Sequence, residues 1–156
     1  LDHDNDGALG VVVNRPTEVP VTEILPMWDS MVTGPDVVFH GGPVALDSAL
    51  GLVAVPPGDE PIGVRRLHNG FGLVDLDTPP EVVQGAVLRL RIFAGYAGWS
   101  PDQLEGEIAE GAWYVVEAQE GDPFTDAPTG LWRQVLRRQR GPLAMVATFP
   151  ADPSLN

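Results

Sequence analysis

The chain has 156 residues, with 18 Gly, 16 Pro, no Cys and nine Arg against 22 Asp and Glu, for a net charge of -13. Its 44% hydrophobic content is that of a folded chain despite the Gly and Pro, and at this length roughly 70% of the unfolded surface is buried without any staple. The lack of Cys and Lys excludes a disulfide framework, a thiolate metal site, a cysteine nucleophile, Schiff-base chemistry and a P-loop lysine, and the net charge opposes phosphate backbones and anionic membranes.

In chain order, His3-Asp4-Asn5-Asp6-Gly7 reads as a turn, followed by a strand from Ala8 to Val13 with Leu9, Val11 and Val13 on one face. That strand needs a partner, and the expectation is a strand ending at Leu1, most of which would precede this chain. A short helix is placed at Val21 to Met27, limited by Pro26. Strands follow at Asp36 to His40, Ala49 to Val55, Phe71 to Leu76 and Val87 to Ala94. In the last of these, Leu88, Leu90 and Ile92 alternate with Arg89, Arg91 and Phe93, which predicts one core face and one partly solvated face.

Ser100-Pro101-Asp102-Gln103 reads as an N-cap, a first-turn Pro and a capping-box Gln, with Gly111 as the stop and Leu104, Ile108 and Ala112 as the buried stripe. Trp113 to Glu117 is placed as a strand, Glu120 to Pro128 as a surface loop, about Gly130 to Arg140 as a helix ended by Gly141-Pro142, and Leu143 to Thr148 as a strand. Strands mixed with a few helices in no regular βαβ order make the fold α+β, in one domain spanning 1–156. No apolar run reaches the roughly 18 residues of a membrane span and no signal-peptide pattern is visible, so a cytoplasmic location without a membrane partner is expected.

Most motifs give way to structural readings. Asp2-x-Asp4-x-Asp6-Gly7 matches half of a calcium loop, but Val13 stands where the bidentate Glu belongs, so a tight turn is the better reading. His3, His40 and His68 lack ligand spacing, and no metal or cofactor is expected. His68-Asn69-Gly70 reads as a hairpin turn. None of the four serines lies in a nucleophile motif. Glu105 and Glu107 project from different sides of a helix and do not make a carboxylate pair.

Two features carry functional weight. Arg133, Arg137, Arg138 and Arg140 gather on the C-terminal helix, against a bulk charge that is -10 over residues 1–86 and -3 over 87–156. They are the candidate anion-binding strip, although Arg at a helix C-terminus also complements the dipole. Gly95-Tyr96-Ala97-Gly98-Trp99-Ser100-Pro101-Asp102-Gln103-Leu104-Glu105-x-Glu107 runs from a strand through two glycines and an aromatic pair into a helix, which suits either a ligand pocket or a tight corner sealed by Trp99.

This last stretch resembles the signature of the YqgE/AlgH family of bacterial proteins, and four more segments agree in order: Gly10 to Pro16, Gly41-Gly42-Pro43-Val44, Gly111-Ala112-Trp113 and the terminal Asp152-Pro153-Ser154-Leu155-Asn156. Leu131-Trp132 also resembles the family's helix start. The resemblance spans essentially the whole chain. It implies an opening segment ahead of Leu1 and an α+β fold whose mixed, largely antiparallel sheet curls into a pseudo-barrel with helices outside. It delivers no catalytic residue. One branch of the family, AlgH, is labelled a transcriptional regulator on genetic grounds.

The resulting expectation is a non-enzymatic binding or regulatory protein for an unidentified small molecule or protein partner. Its candidate site comprises Asn14, Arg15, His40, Gly41, Gly42, Pro43, Gly95, Tyr96, Gly98, Trp99, Gln103 and Glu105, with Arg15 as a natural anion ligand. The alternatives are a nucleic-acid-binding transcriptional regulator acting through the Arg helix, which the charge disfavours, and a hydrolase or transferase with His40 or Glu105 as general base.

Overall fold

The computed structural model describes residues 1–150; the Asp152 to Asn156 motif lies outside them. Eight strands form one sheet, six of them in a continuous path from the first strand to the sixth and the third and fourth branching from the eighth. They are β1 (Asp2–Asp4), β2 (Gly7–Gly10), β3 (Pro16–Pro20), β4 (Val37–His40), β5 (Val44–Ala54), β6 (Val64–Arg66), β7 (Phe71–Val74) and β8 (Arg89–Trp99). The helices are α1 (Val21–Ile24), α2 (Pro80–Val83), α3 (Gln103–Ala109), α4 (Leu131–Arg137) and α5 (Pro142–Val146), with 3-10 turns at Pro26–Met31, Asp122–Phe124 and Pro128–Gly130. The fold is therefore α+β, with a largely antiparallel sheet.

The longest strands, β5 and β8, are its spine and pair antiparallel from Ala49↔Ala94 to Ala54↔Arg89. On its other side β8 takes β2 along Ala97 to Trp99 and β4, in parallel, along Phe93 and Ala94. The sheet does not close into a barrel by hydrogen bonds. Its two outermost strands nevertheless meet through side chains, with Arg65 Nη1 of β6 3.7 Å from Asp2 Oδ2 of β1.

Both faces of the spine are covered, contrary to the expected solvated face. Leu90 and Ile92 join Val21, Trp28, Val38, Val53 and Val83 in one core, beneath α1, α2 and the Pro26–Met31 turn. On the opposite face Phe93 packs with Phe39, Leu52 and Phe124. Arg91 shares that face and is 1% exposed. It donates to the carbonyls of Pro123 (2.8 Å), Gly34 (2.8 Å) and Thr125 (2.9 Å) and lies 4.2 Å from the Phe39 ring centroid. The loop between α3 and α4 is thus pinned to the sheet by a cation read from the sequence as half-solvated.

Other boundaries moved for identifiable reasons. The partner of the strand at Ala8 runs through Asp2–Asp4 rather than ending at Leu1, because His3 pairs with Ala8 in a hairpin turning at Asn5-Asp6. Pro16–Pro20 forms an irregular edge strand on β4, a place where Pro is tolerated. Leu143 to Thr148, expected as a strand, begins as α5 instead, because Gly141 (φ 74°) turns the chain and Pro142 occupies the first helical position. The stripe on α3 is also shallower than expected: Leu104 is half-buried and Ile108 is 37% exposed.

Candidate functional site

The motif segments converge at one end of the spine. Val12 N–H donates to Gly41 O, His40 N–H to Arg15 O and Gly41 N–H to Ala94 O, each at 2.8 Å. Beyond these bonds β4 runs into Gly41 and Gly42, both buried against the kink of β8 at Gly95 (φ 71°). A Cβ on Gly41 would sit 2.3 Å from Gly95 O, and one on Gly42 would sit 2.1 Å from the Tyr96 carbonyl carbon. The glycines are there because main chain meets main chain.

The side chains at this junction differ in exposure. Arg15 and Pro43 are exposed, while Asn14 and Tyr96 are half-buried. His40 Nδ1 is buried without a hydrogen-bond partner among the described residues.

A second cluster stands at the other end of the signature. Gln103 Oε1 accepts from Ser100 N–H (3.0 Å), the capping-box half that was expected, but no side chain caps the helix, and Asp102, in a left-handed conformation, precedes it. Gly111 (φ 78°) ends α3 as expected, with Gly111 N–H donating to Ile108 O and Ala112 N–H to Glu107 O. Glu105 contacts His3 of β1, and its own backbone N–H and the His3 ring hold its carboxyl below the usual range. Glu107 accepts from Gln103 Nε2 (3.0 Å), Trp99 Nε1 (3.2 Å) and Trp113 Nε1 (2.7 Å), and these bonds depress its carboxyl too, Trp113 most strongly. The two glutamates therefore face different partners, as their spacing indicated. Sequence reasoning named Glu107 in the signature and Trp113 in a family segment but left both out of the candidate site, although Glu107 lies four residues after Gln103 on one face of a helix.

The arginine strip is broken. Arg138 forks onto Asp122, Nη1 to Oδ1 at 2.6 Å with Nη2 on Oδ2, and this guanidinium is the main reason the Asp122 carboxyl lies below its ordinary value. Arg133 donates to Ala147 O at 3.3 Å and lies 5.9 Å from the Trp132 ring centroid, while Arg137 and Arg140 are exposed.

A cleft of about 640 Å³ opens where the two edge strands of the curled sheet come together. Its apolar side includes Val11, Val13, Leu52 and Phe71, and its polar side includes His3, Arg65, His68 and Asn69. Arg66 also lines it, but its guanidinium is turned onto the carbonyls of Pro56 and Asp59. Of the candidate site residues none lines this cleft. What the sequence did expose was the Asn69-Gly70 turn (φ 58° and 77°), which joins β6 to β7 and sets His68 and Asn69 at the rim. Among the described residues no three His, Asp or Glu side chains are grouped to hold a metal, and no helix is long and apolar enough to cross a membrane.

Comparison with known proteins matches residues 1–144 to the family model described as AlgH-like. A UPF0301 protein of Streptomyces coelicolor is 61% identical, with the alignment covering all of this chain and 83% of that protein. A Corynebacterium diphtheriae protein of known crystal structure superposes with a TM-score of 0.89 at 32% identity, over 96% of this chain and 80% of that one. The solution structure of AlgH from Pseudomonas aeruginosa gives a TM-score of 0.69 at 24% identity, over 97% and 82% of the two chains, a likeness of fold.

Proposed function

The chain belongs to the AlgH-like family, and we propose that it is a binding or regulatory protein whose contact surface is the cleft between the edge strands β1 and β6. The observation that carries this reading is the chemistry of the cleft. In a protein of charge -13 with three His, Arg65 and two of the His line this one concavity beside an apolar floor, and Asp2, 3.7 Å from Arg65 in a solvent-exposed pair, is the one carboxylate in its lining among the described residues. An apolar floor with a few converging polar groups is the usual composition of a binding site. The ligand class that fits is an amphipathic anion, either an acidic peptide in extended form or a small apolar carboxylate, with Arg65 as the charged contact.

The motif junction supports a different role. Its contacts are main chain to main chain, so its glycines hold the spine together and Arg15 stands outside the cleft. The Arg helix adds little to a nucleic-acid reading, since Arg138 is spent on Asp122.

The test is an NMR titration of the full-length protein with amphipathic carboxylates and acidic peptides. The expected result is saturable shifts centred on Leu52, Phe71 and His68, an affinity about tenfold weaker in Arg65→Gln, and no change in Arg15→Ala. Shifts centred on Arg15, His40 and Tyr96, or no saturable shift with any probe, would overturn the proposal.

A further inference from the structure

We infer that Glu107 is a positioning residue: its carboxylate is a clamp that joins α3 to the tip of β8 and to the start of the segment after the helix. Three donors from three places converge on it. Trp99 is the last residue of β8, Gln103 opens α3 and Trp113 follows the helix stop. One carboxylate oxygen takes both indole N–H groups and the other takes the amide. The two indoles meet edge to face with ring centroids 5.9 Å apart, a favourable aromatic geometry. Gln103 extends the network to the Ser100 main chain, so the helix entry, the helix body and the helix exit share one set of hydrogen bonds.

The clamp matters because of what it holds. Residues 113 to 116 have strand-forming side chains, yet the N–H groups of 113 to 118 find no main-chain acceptor among the described residues. Trp113, Tyr114 and Val115 are 49%, 58% and 72% exposed. With no ladder to fix this segment, the bond from Trp113 to Glu107 sets where it begins. Both ends of the side chain must be acceptors because all three partners are N–H donors and they divide between its two oxygens. Glutamine at 107 would place its own N–H group against at least one of them.

The test compares the full-length protein with Glu107→Gln, Glu107→Ala and Leu104→Ala, the last a control that disturbs α3 without touching the network. The readouts are the indole N–H resonances of Trp99 and Trp113, each assigned by a Trp→Phe variant, the Gln103 side-chain amide resonances, and exchange of the two indole N–H groups with solvent. Glu107→Ala is expected to move both indole resonances and to speed exchange of the two indole N–H groups about three- to tenfold, the factor one hydrogen bond supplies. Glu107→Gln should move at least one of the indole or Gln103 side-chain amide resonances, and Leu104→Ala none of them. Indole resonances unchanged in Glu107→Ala, or an equal response in Leu104→Ala, would overturn the clamp. If Glu107→Ala does not fold, Glu107→Gln decides by the same resonances.

Discussion

Alanine in place of Gly42 is expected to cost about 3 kcal/mol or more, enough to take up a large part of a domain's stability. Two effects act together. The residue sits at φ 158°, at the margin of the region open mainly to glycine, and its new methyl group would lie within 2.4 Å of the Tyr96 carbonyl carbon and oxygen and the Ala97 nitrogen. These are backbone atoms in the centre of the sheet, so no side chain can swing aside, and relief requires β4 and β8 to separate. Gly98 is the matched control in the same signature. It is exposed, and the nearest atom to its added Cβ is the Tyr96 ring edge at 3.9 Å, so Gly98→Ala should stay within about 0.5 kcal/mol of the parent. Urea unfolding of the two variants measures the difference directly. A Gly42→Ala protein as stable as Gly98→Ala would contradict the junction geometry.

Arg91→Met is the second large effect, expected to cost about 3 kcal/mol. Burial pushes the guanidinium down to about 10, which still leaves it charged at neutral pH. Among the described residues it has no carboxylate partner, only three carbonyls and the face of Phe39. Methionine keeps much of the apolar stem but abandons the carbonyls of Gly34, Pro123 and Thr125 inside the protein, and each unmet acceptor carries a desolvation penalty. The loss should concentrate in the loop at Asp122–Phe124, because two of the three bonds end there or beside it. Arg91→Lys keeps the charge without the planar fork and should fall between the two. Urea unfolding with limited proteolysis of the loop checks both statements. A Met variant within 0.5 kcal/mol of the parent would mean that the loop is held by Phe124 packing alone.

The sequence exposed the elements whose cause is local and concealed those whose cause is distant. The spine strand was legible because Leu90 and Ile92 alternate with Arg91 and Phe93, and the end of α3 because Gly111 stops it. The depth of Arg91 was not legible: nothing local says that carbonyls 32 and 57 residues away will surround it. The strand expected at Trp113 to Glu117 had the right side chains, but pairing is not a property of the segment alone. The glycine motifs announced a special place without saying which kind, since close backbone approach and ligand approach both call for glycine. The cleft is built by curling, which brings together β1 and β6, strands some sixty residues apart, with no shared motif.

The central claim is that the glycine segments of the family motifs form a rigid main-chain junction while recognition belongs to the cleft beside it. Residue-resolved amide exchange on the full-length protein tests this most directly. The account predicts that Val12, His40 and Gly41, whose N–H groups tie the three segments together, exchange only in the slowest, globally opening class. Exchange of these three amides in the fast class with exposed loops, while the β5 and β8 amides stay protected, would contradict it and make the junction an adaptable site.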